Sequence, residues 1–446
     1  MKLNYKYFFI LAVFTNFLFS CSNDDEAISP IIEVEEVVLL EFNNNFNPIN
    51  NTNNQVLLPI PTLTWSIKNK SETDDILYDI KLGTSLSNLN LLNSTKEESH
   101  QIETLLNPES EYFWEVSFTN RDGKKTISDI IKFTTSKIEF ADPMMEQVIR
   151  DALTQPEGDF TRDELEKIIN IPADITVLDY EAHTPYGGIE VLTGLEYCTN
   201  LKRVNLFQNG FRSPISDLKP LENLTSITYL NVANNKVYDL TPLSKLSNLE
   251  YLHLGWNIGV SDISPIAHLN KLKTLNLTYT HGLRDITPIE NLTQLDSLDY
   301  SHAYYIEDIS SIGKLINLKH LRFTGSEIID DFEFLNNLKK IESLHLDRNI
   351  YINNLSFVPN MPLLKKLNLS STGITDISLL ANFNSMEFLS LRGLKISDFS
   401  ILKNMPNLKE LHFDDSVIDN SILSTTEIRN MFPEIKMIIN GTVYNG

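Results

Sequence analysis

The chain has 446 residues, 42% of them apolar, which is enough for roughly two to four packed units rather than one core. A formal charge of −22 argues against nucleic acid as a partner, because phosphate binding needs clustered Lys and Arg. Two cysteines, Cys21 and Cys198, are too few for a disulfide framework or a Cys-rich zinc site.

Lys2 and Lys6 precede an apolar run from Phe8 to Phe19, interrupted by Thr15 and Asn16. The run is short for a bilayer crossing and no stop-transfer pattern follows, so residues 1–20 read as a signal peptide. The segment closes on Leu18-Phe19-Ser20-Cys21, which resembles a bacterial lipobox. That resemblance implies a lipid on Cys21 and an acyl anchor in a membrane. The alternative is a plain secretory signal with an incidental cysteine. Residues 21–32 form an acidic linker. Its start, Ser22-Asn23-Asp24-Asp25-Glu26, resembles the export tag of Bacteroidota lipoproteins. The resemblance implies an outer-membrane lipoprotein exposed at the cell surface; the other reading is a solvated linker.

Residues 33–136 alternate in strand fashion with turn residues between the runs. Leu63-Thr64-Trp65, Tyr78 to Leu82, Tyr112 to Phe118 and Ile130 to Thr135 are the expected strands, with a hairpin turn at Asn120 to Gly123. Leu63-x-Trp65, Tyr78-Asp79-Ile80-x-Leu82-Gly83, Leu106-x-Pro108-x-x-x-Tyr112-x-Trp114 and Phe133-Thr134-Thr135 resemble the fibronectin type III domain. The resemblance implies an all-β sandwich acting as a spacer. It also implies a corner tyrosine, Tyr112, whose hydroxyl meets backbone a few residues upstream.

Residues 196–446 are repetitive. Leu-x-x-Leu-x-Leu variants begin at Leu201, Ile227, Leu249, Leu272, Leu295, Leu318, Ile341, Leu364, Met386 and Leu408, mostly 22 to 23 residues apart. A fixed period in this range marks leucine-rich repeats. The expected fold is an α/β solenoid, with a parallel β concave face and short 3-10 or helical turns on the convex side. A degenerate repeat is expected at Ile175-x-x-Leu178-x-Tyr180 and a closing one at Ile435-x-x-Ile438. Thr241-Pro242, Ser264-Pro265 and Thr287-Pro288 read as capping hydroxyls before a helical Pro. Asn209, Asn235, Asn257 and Asn349 sit where an asparagine bonds the turning backbone, but Thr280, Ala303, Ser326, Thr372, Leu394 and Ser416 hold that place elsewhere, so the ladder is expected to be broken.

The period and the Ile-x-Asp-Ile-Thr-Pro-Ile pattern resemble the internalin type of repeat. The preceding segment, Phe140-x-Asp142, Val148-Ile149-Arg150-x-x-Leu153, Thr161-x-x-Glu164-Leu165 and Gly194-Leu195-Glu196-Tyr197, resembles that family's helical cap. Residues 137–195 are therefore expected to hold the cap and a degenerate first repeat. Cys198, at the junction, is expected to be a buried, unpaired thiol.

Alternation along each strand points the residues flanking the middle Leu to the concave face. Tyr229, Tyr251, His253, Trp256, Tyr279, His320, Arg322 and His345 are the candidate ligand-binding residues, since aromatics mixed with His and Arg suit a binding surface. Exposed aromatics also occur on solenoid faces that bind nothing. A column of Asp217, Asp239, Asp262, Asp285, Asp308, Asp330, Asp376 and Asp398, broken by Asn354, reads either as a calcium ladder or, preferably, as carboxylates bonding turn backbone. No nucleophile elbow, zincin motif, phosphate loop or dinucleotide fingerprint is present, so no catalytic residue, cofactor or metal is expected. The internalin resemblance implies a non-catalytic surface protein whose concave face binds a protein in adhesion. A polysaccharide of a nutrient-uptake system is the alternative, and a structural envelope protein a third reading.

Overall fold

The computed structural model describes residues 41–444 apart from residues 44, 48–60, 71–74, 103, 121–122, 156, 172–187, 208–213, 303, 327, 382, 397 and 415–424. The signal segment, Cys21, the acidic linker, the expected repeat at Ile175 to Tyr180, and Asn209, Ala303 and Ser416 lie outside the described residues.

The first part is all β. Strands Tyr78–Gly83 and Glu111–Thr119 pair antiparallel at the centre of a five-stranded sheet, flanked by Asn90–Thr95, Lys125–Ile127 and Ile131–Thr134. Two antiparallel pairs accompany it, Glu41–Phe42 with Ile67–Lys68 and Thr62–Thr64 with Ser99–Gln101. Inward residues alternate as the sequence does, so Tyr78, Ile80, Trp114, Val116, Phe118 and Phe133 share a core with Leu63 and Trp65. Asn107 N–H donates to Tyr112 Oη at 2.9 Å, which satisfies the hydroxyl at the edge of that core.

A second, continuous core runs through the rest of the molecule. Helix α1 (Pro143–Leu153) buries Met145, Val148 and Ile149 in it, and α2 (Arg162–Leu165) buries Leu165. Asp142 fastens α1. One carboxylate oxygen accepts from Met144 N (2.8 Å) and Met145 N (3.2 Å), and the other accepts from Glu190 N (2.7 Å) and Val191 N (3.2 Å). The helix N-terminus is thereby capped and tied to the chain entering the first repeat. Gly194 (φ 107°) must be glycine here, because a Cβ would meet the Phe140 ring at 2.5 Å. Cys198 is free and buried, and burial pushes its thiol up to about 12.

The repeats form one thirteen-stranded sheet in chain order, from Asn170–Ile171 to Thr442–Tyr444. The pairs are parallel until the last, where Lys436–Ile439 and Thr442–Tyr444 form a hairpin. The strand bonded to Arg203–Asn205 is Asn170–Ile171, which the repeat pattern did not mark. In the closing rung, Leu411 pairs with Met437, so Met437 and Ile439 fill the core rather than the expected Ile435 and Ile438. Among the described residues, 3-10 helices from Leu195–Tyr197 to Ser400–Asn404 form the other side of the repeats. They contribute Leu243, Ile266, Ile289 and Ile312 to the same core. Each rung alone would leave its Leu row wet; stacking buries it between neighbours.

The turns correct two expectations. The hydroxyls of Thr241, Ser264 and Thr287 cap nothing. The acceptor is the Asp two residues earlier: Asp239 takes Thr241 N at 2.8 Å, and Asp262 and Asp285 do the same for Ser264 and Thr287. The column also continues through Asp331, not Asp330, since Asp331 accepts from Glu333 N at 2.8 Å. Asn354 keeps the register rather than breaking it, accepting from Ser356 N at 3.1 Å. These carboxylates are lowered from their ordinary values, at Asp239, Asp285 and Asp398 first by the hydroxyl and then by the N–H of the residue two on, and at Asp308 and Asp376 in the reverse order. Among the described residues no group of three or more acidic, His or Cys side chains is arranged to hold a metal.

Candidate ligand-binding face

Each concave strand is three residues long or nearly so, with its middle Leu in the core and its first and third residues on the opposite face. The third position has a role that the sequence reading missed. Asn231 Oδ1 accepts from Ala233 N (3.0 Å), His253 Nδ1 from Gly255 N (3.1 Å), Asn276 Oδ1 from Thr278 N (2.9 Å) and Asn368 Oδ1 from Ser370 N (3.1 Å). These side chains close the turn that leaves each strand. His253 is therefore 8% exposed and its imidazole is pushed down to about 4 by burial, which keeps it neutral and able to accept. The repeated Asn-x-x-x at this position was the available signal.

The residue three beyond the strand's last is left-handed in rung after rung: Asn234, Trp256, Tyr279, His302, Gly325, Arg348, Ser371 and Gly393. Its N–H donates to the next rung, as in Trp256 to Thr278 O (2.8 Å), Tyr279 to Ser301 O (3.1 Å) and His302 to Thr324 O (2.7 Å). Continuing the parallel ladder through the turn forces the positive φ. Glycine or asparagine suits that conformation; a bulky side chain costs about 1–2 kcal/mol there. Three consecutive rungs nonetheless carry aromatic rings. Trp256 stacks on Tyr279 at 3.9 Å and Tyr279 on His302 at 4.0 Å, contacts that offset part of the strain. His302 Nδ1 and Tyr304 Oη lie 3.0 Å apart and extend the row. Trp256 is 49% exposed at its N-terminal end.

The eight expected residues thus divide. Tyr229 and Tyr251 stack at 4.3 Å under the Arg203 guanidinium, on the first strand position. Tyr279 stands in the left-handed row. His253, Trp256, His320, Arg322 and His345 line one concave groove of about 480 Å3, which also takes in Phe207 and Asp299. Arg322 pairs in register with His345, whereas His320 faces Ser343, so the two histidines of adjacent rungs lie diagonally. The His345 ring is pushed down to about 4, first by burial and then by the nearby charges of Arg322 and Lys366. Its Nδ1 is buried without a partner. Ile258, Tyr305, Ile328, Ile350 and Tyr351, two or three residues after the left-handed positions in sequence, are exposed apolar side chains. No described helix is long and apolar enough to cross a membrane.

The sequence profile of the leucine-rich repeat region family matches residues 187–441, more than half of the chain. Among solved structures, an internalin of Listeria monocytogenes is 27% identical, covering 67% of this chain and 88% of that one with a TM-score of 0.55. Internalin C2 of the same organism is 26% identical over 61% of this chain and 94% of that one (TM-score 0.37). A leucine-rich-repeat protein of Leptospira interrogans is 19% identical over 55% of this chain and 74% of that one (TM-score 0.38). The last two overlays are too loose to bear on geometry. No protein of curated function matches the sequence. The profile match, the 22-to-23-residue period and the parallel sheet that it builds agree, and the chain belongs to the leucine-rich repeat region family.

Proposed function

We propose that this is a non-catalytic recognition protein whose concave groove binds a protein partner in adhesion at a cell surface. The observation that carries the reading is the aromatic row Trp256, Tyr279 and His302, held on left-handed backbone beside the groove. Strain of this kind concentrates where surroundings are organised for a ligand, and half-exposed aromatic anchors dominate protein interfaces. In this reading residues 33–136 are a fibronectin type III-like spacer and residues 137–195 a cap of the internalin kind. Residues 196–446 are the binding solenoid, and a lipid on Cys21, after a signal peptide of residues 1–20, anchors the chain in the outer membrane. The similarity to a Listeria internalin supports the binding role. A polysaccharide is the second reading, favoured by the exposed Trp256 face.

The test presents the full chain and its Trp256→Ala variant to an array of purified extracellular protein domains and to a glycan array. Retention of a protein that the variant loses supports the first reading. Retention of glycan alone moves the function to the second, and retention by neither overturns both. Protease treatment of intact cells, with Cys21→Ala as control, tests the anchor: wild type is expected to be cleaved while cells stay whole, and the variant to be found in soluble fractions.

A further inference from the structure

Among the described residues, ion pairs run in a row along one edge of the concave sheet. One residue before each strand, charges alternate from rung to rung: Glu250, Lys273, Asp296, Lys319, Glu342, Lys365, Glu387 and Lys409. Lys273 meets Glu250 at 2.7 Å, Lys319 meets Asp296 at 3.0 Å, Lys365 meets Glu342 at 2.7 Å and Lys409 meets Glu387 at 2.7 Å. Each lysine of that row is therefore neutralised by its neighbour. Immediately inside it, on the concave face, Arg322 and Lys366 are exposed and engaged in no ion pair among the described residues. His320, also exposed, stands two residues from Arg322. The His345 ring lies between the two cations and feels both.

Two carboxylates lie near Arg322 without forming an ion pair with it: Asp299, in register on the neighbouring strand, and Asp347, whose carboxyl burial raises against the opposing charge of Arg322. Asp299 accepts from Ser301 N (3.1 Å) and Ser301 Oγ (2.6 Å), and Asp347 accepts from Asn368 Nδ2 at 2.9 Å. Arg392, further along, is already held by Asp414 at 3.4 Å. Arg322 lines the groove and Lys366 stands one rung beyond its lining, so two exposed cations without an ion pair share the concave face of a chain whose net charge is −22. Charged groups left without internal partners on a recognition surface gain theirs from the ligand, which fixes register and partner choice.

We propose that the protein partner enters this groove with an extended acidic segment whose carboxylates pair with Arg322 and Lys366. The two cations are two rungs apart and offset by two residues along the strands, about 12 Å at ordinary strand spacing and rise. An extended chain turns every second side chain to one face, so acidic residues with three others between them, about 13 Å apart, match it. The segment runs along the solenoid axis, with Arg322 free to take one carboxylate bidentately. This inference rests on the concave face being the recognition surface and adds the chemistry of what it recognises.

The test uses the full chain and fluorescein-labelled peptides of ten glutamates, ten glutamines and ten lysines, with binding read by anisotropy at low salt. The glutamate peptide is expected to bind, despite the overall negative charge of the protein, and the other two to bind at least tenfold more weakly. Arg322→Gln combined with Lys366→Gln is expected to weaken glutamate binding at least tenfold. Lys403→Gln, on the 3-10 helix Ser400–Asn404, is expected to leave it unchanged. Circular dichroism of the double variant checks that the fold is retained. Absence of glutamate-peptide binding, or equal binding by the double variant, overturns the proposal. So does binding of heparin in place of the glutamate peptide, which assigns the cations to an anionic glycan. A protein from the array that needs Trp256 but binds the double variant undiminished leaves the recognition reading standing and removes the acidic segment.

Discussion

The N-terminal and central rungs of the concave sheet share one backbone but use their side chains differently. In the strands Tyr229–Asn231 and Tyr251–His253 the third residue closes a turn and the first stacks on its neighbour, so these side chains are buried or partly buried. In His320–Arg322 and Lys366–Asn368 the first residue is exposed and cationic or imidazole-bearing, and Arg322 reaches solvent. The difference teaches that a solenoid face is not uniformly available. Third-position side chains that close a turn serve the fold, Asn368 included, whereas Arg322 and the first-position His320 and Lys366 remain exposed.

The largest effect expected from this division is on stability at the N-terminal rungs. Asn257 donates to Val232 O (2.9 Å) and Leu254 O (2.8 Å) and accepts from Val237 N (3.0 Å), fully buried. Asn257→Ala leaves buried donors and acceptors of two rungs unpaired and is expected to cost about 3–4 kcal/mol in urea unfolding. A loss under about 1 kcal/mol would mean that water replaces the amide.

Next comes a pH effect. The folded His253 titrates near 4 against an ordinary 6.5, so below pH 6.5 the unfolded chain takes up the proton first. Its contribution is whole above pH 6.5 and is lost progressively as pH falls through 4. The loss is on the order of 3 kcal/mol at most. His253→Asn, the residue found at Asn231 and Asn276, is expected to flatten the fall of the melting midpoint between pH 6.5 and 4, leaving the share due to His345. An unchanged pH profile would place the titration elsewhere.

Thr280 holds the asparagine position one rung after Asn257 but makes only one bond there, Oγ1 to Leu277 O at 2.7 Å. Thr280→Val is expected to cost about 1 kcal/mol, well below Asn257→Ala. Equal losses would show that the two rungs do not differ.

Trp256→Gly relieves the left-handed strain and removes the stack on Tyr279, two terms of about 1 kcal/mol and opposite sign. The melting midpoint is expected to stay nearly fixed while partner binding is lost. A large destabilisation would make the aromatic row a structural device. The smallest effect is at the central rungs, where Arg322→Gln is expected to shift stability by less than about 0.5 kcal/mol.

The repeat period, the core Leu positions, the concave strands, the 3-10 convex turns and the buried thiol of Cys198 were legible in the sequence. A 22-to-23-residue periodicity of apolar residues admits one economical packing, in which each rung hides its Leu row against the next. Strand alternation put His253, His320, Arg322 and His345 on the concave face, whereas Trp256 lies beyond its strand.

Tertiary structure decided the rest. The first strand, Asn170–Ile171, and the slipped register of Met437 and Ile439 come from stacking against neighbouring rungs, to which local periodicity is blind. Asp331 rather than Asp330 is the turn acceptor because the backbone N–H it serves lies two residues on, a spacing set by the 3-10 helix. His253 reads as a ligand group in the sequence and becomes a turn acceptor in the fold, because a side chain's partner is whatever the neighbouring backbone leaves unsatisfied. The division of the concave face into occupied and available rungs has the same origin: the sequence names the side chains, and only the stacking of rungs determines which polar groups are already spoken for.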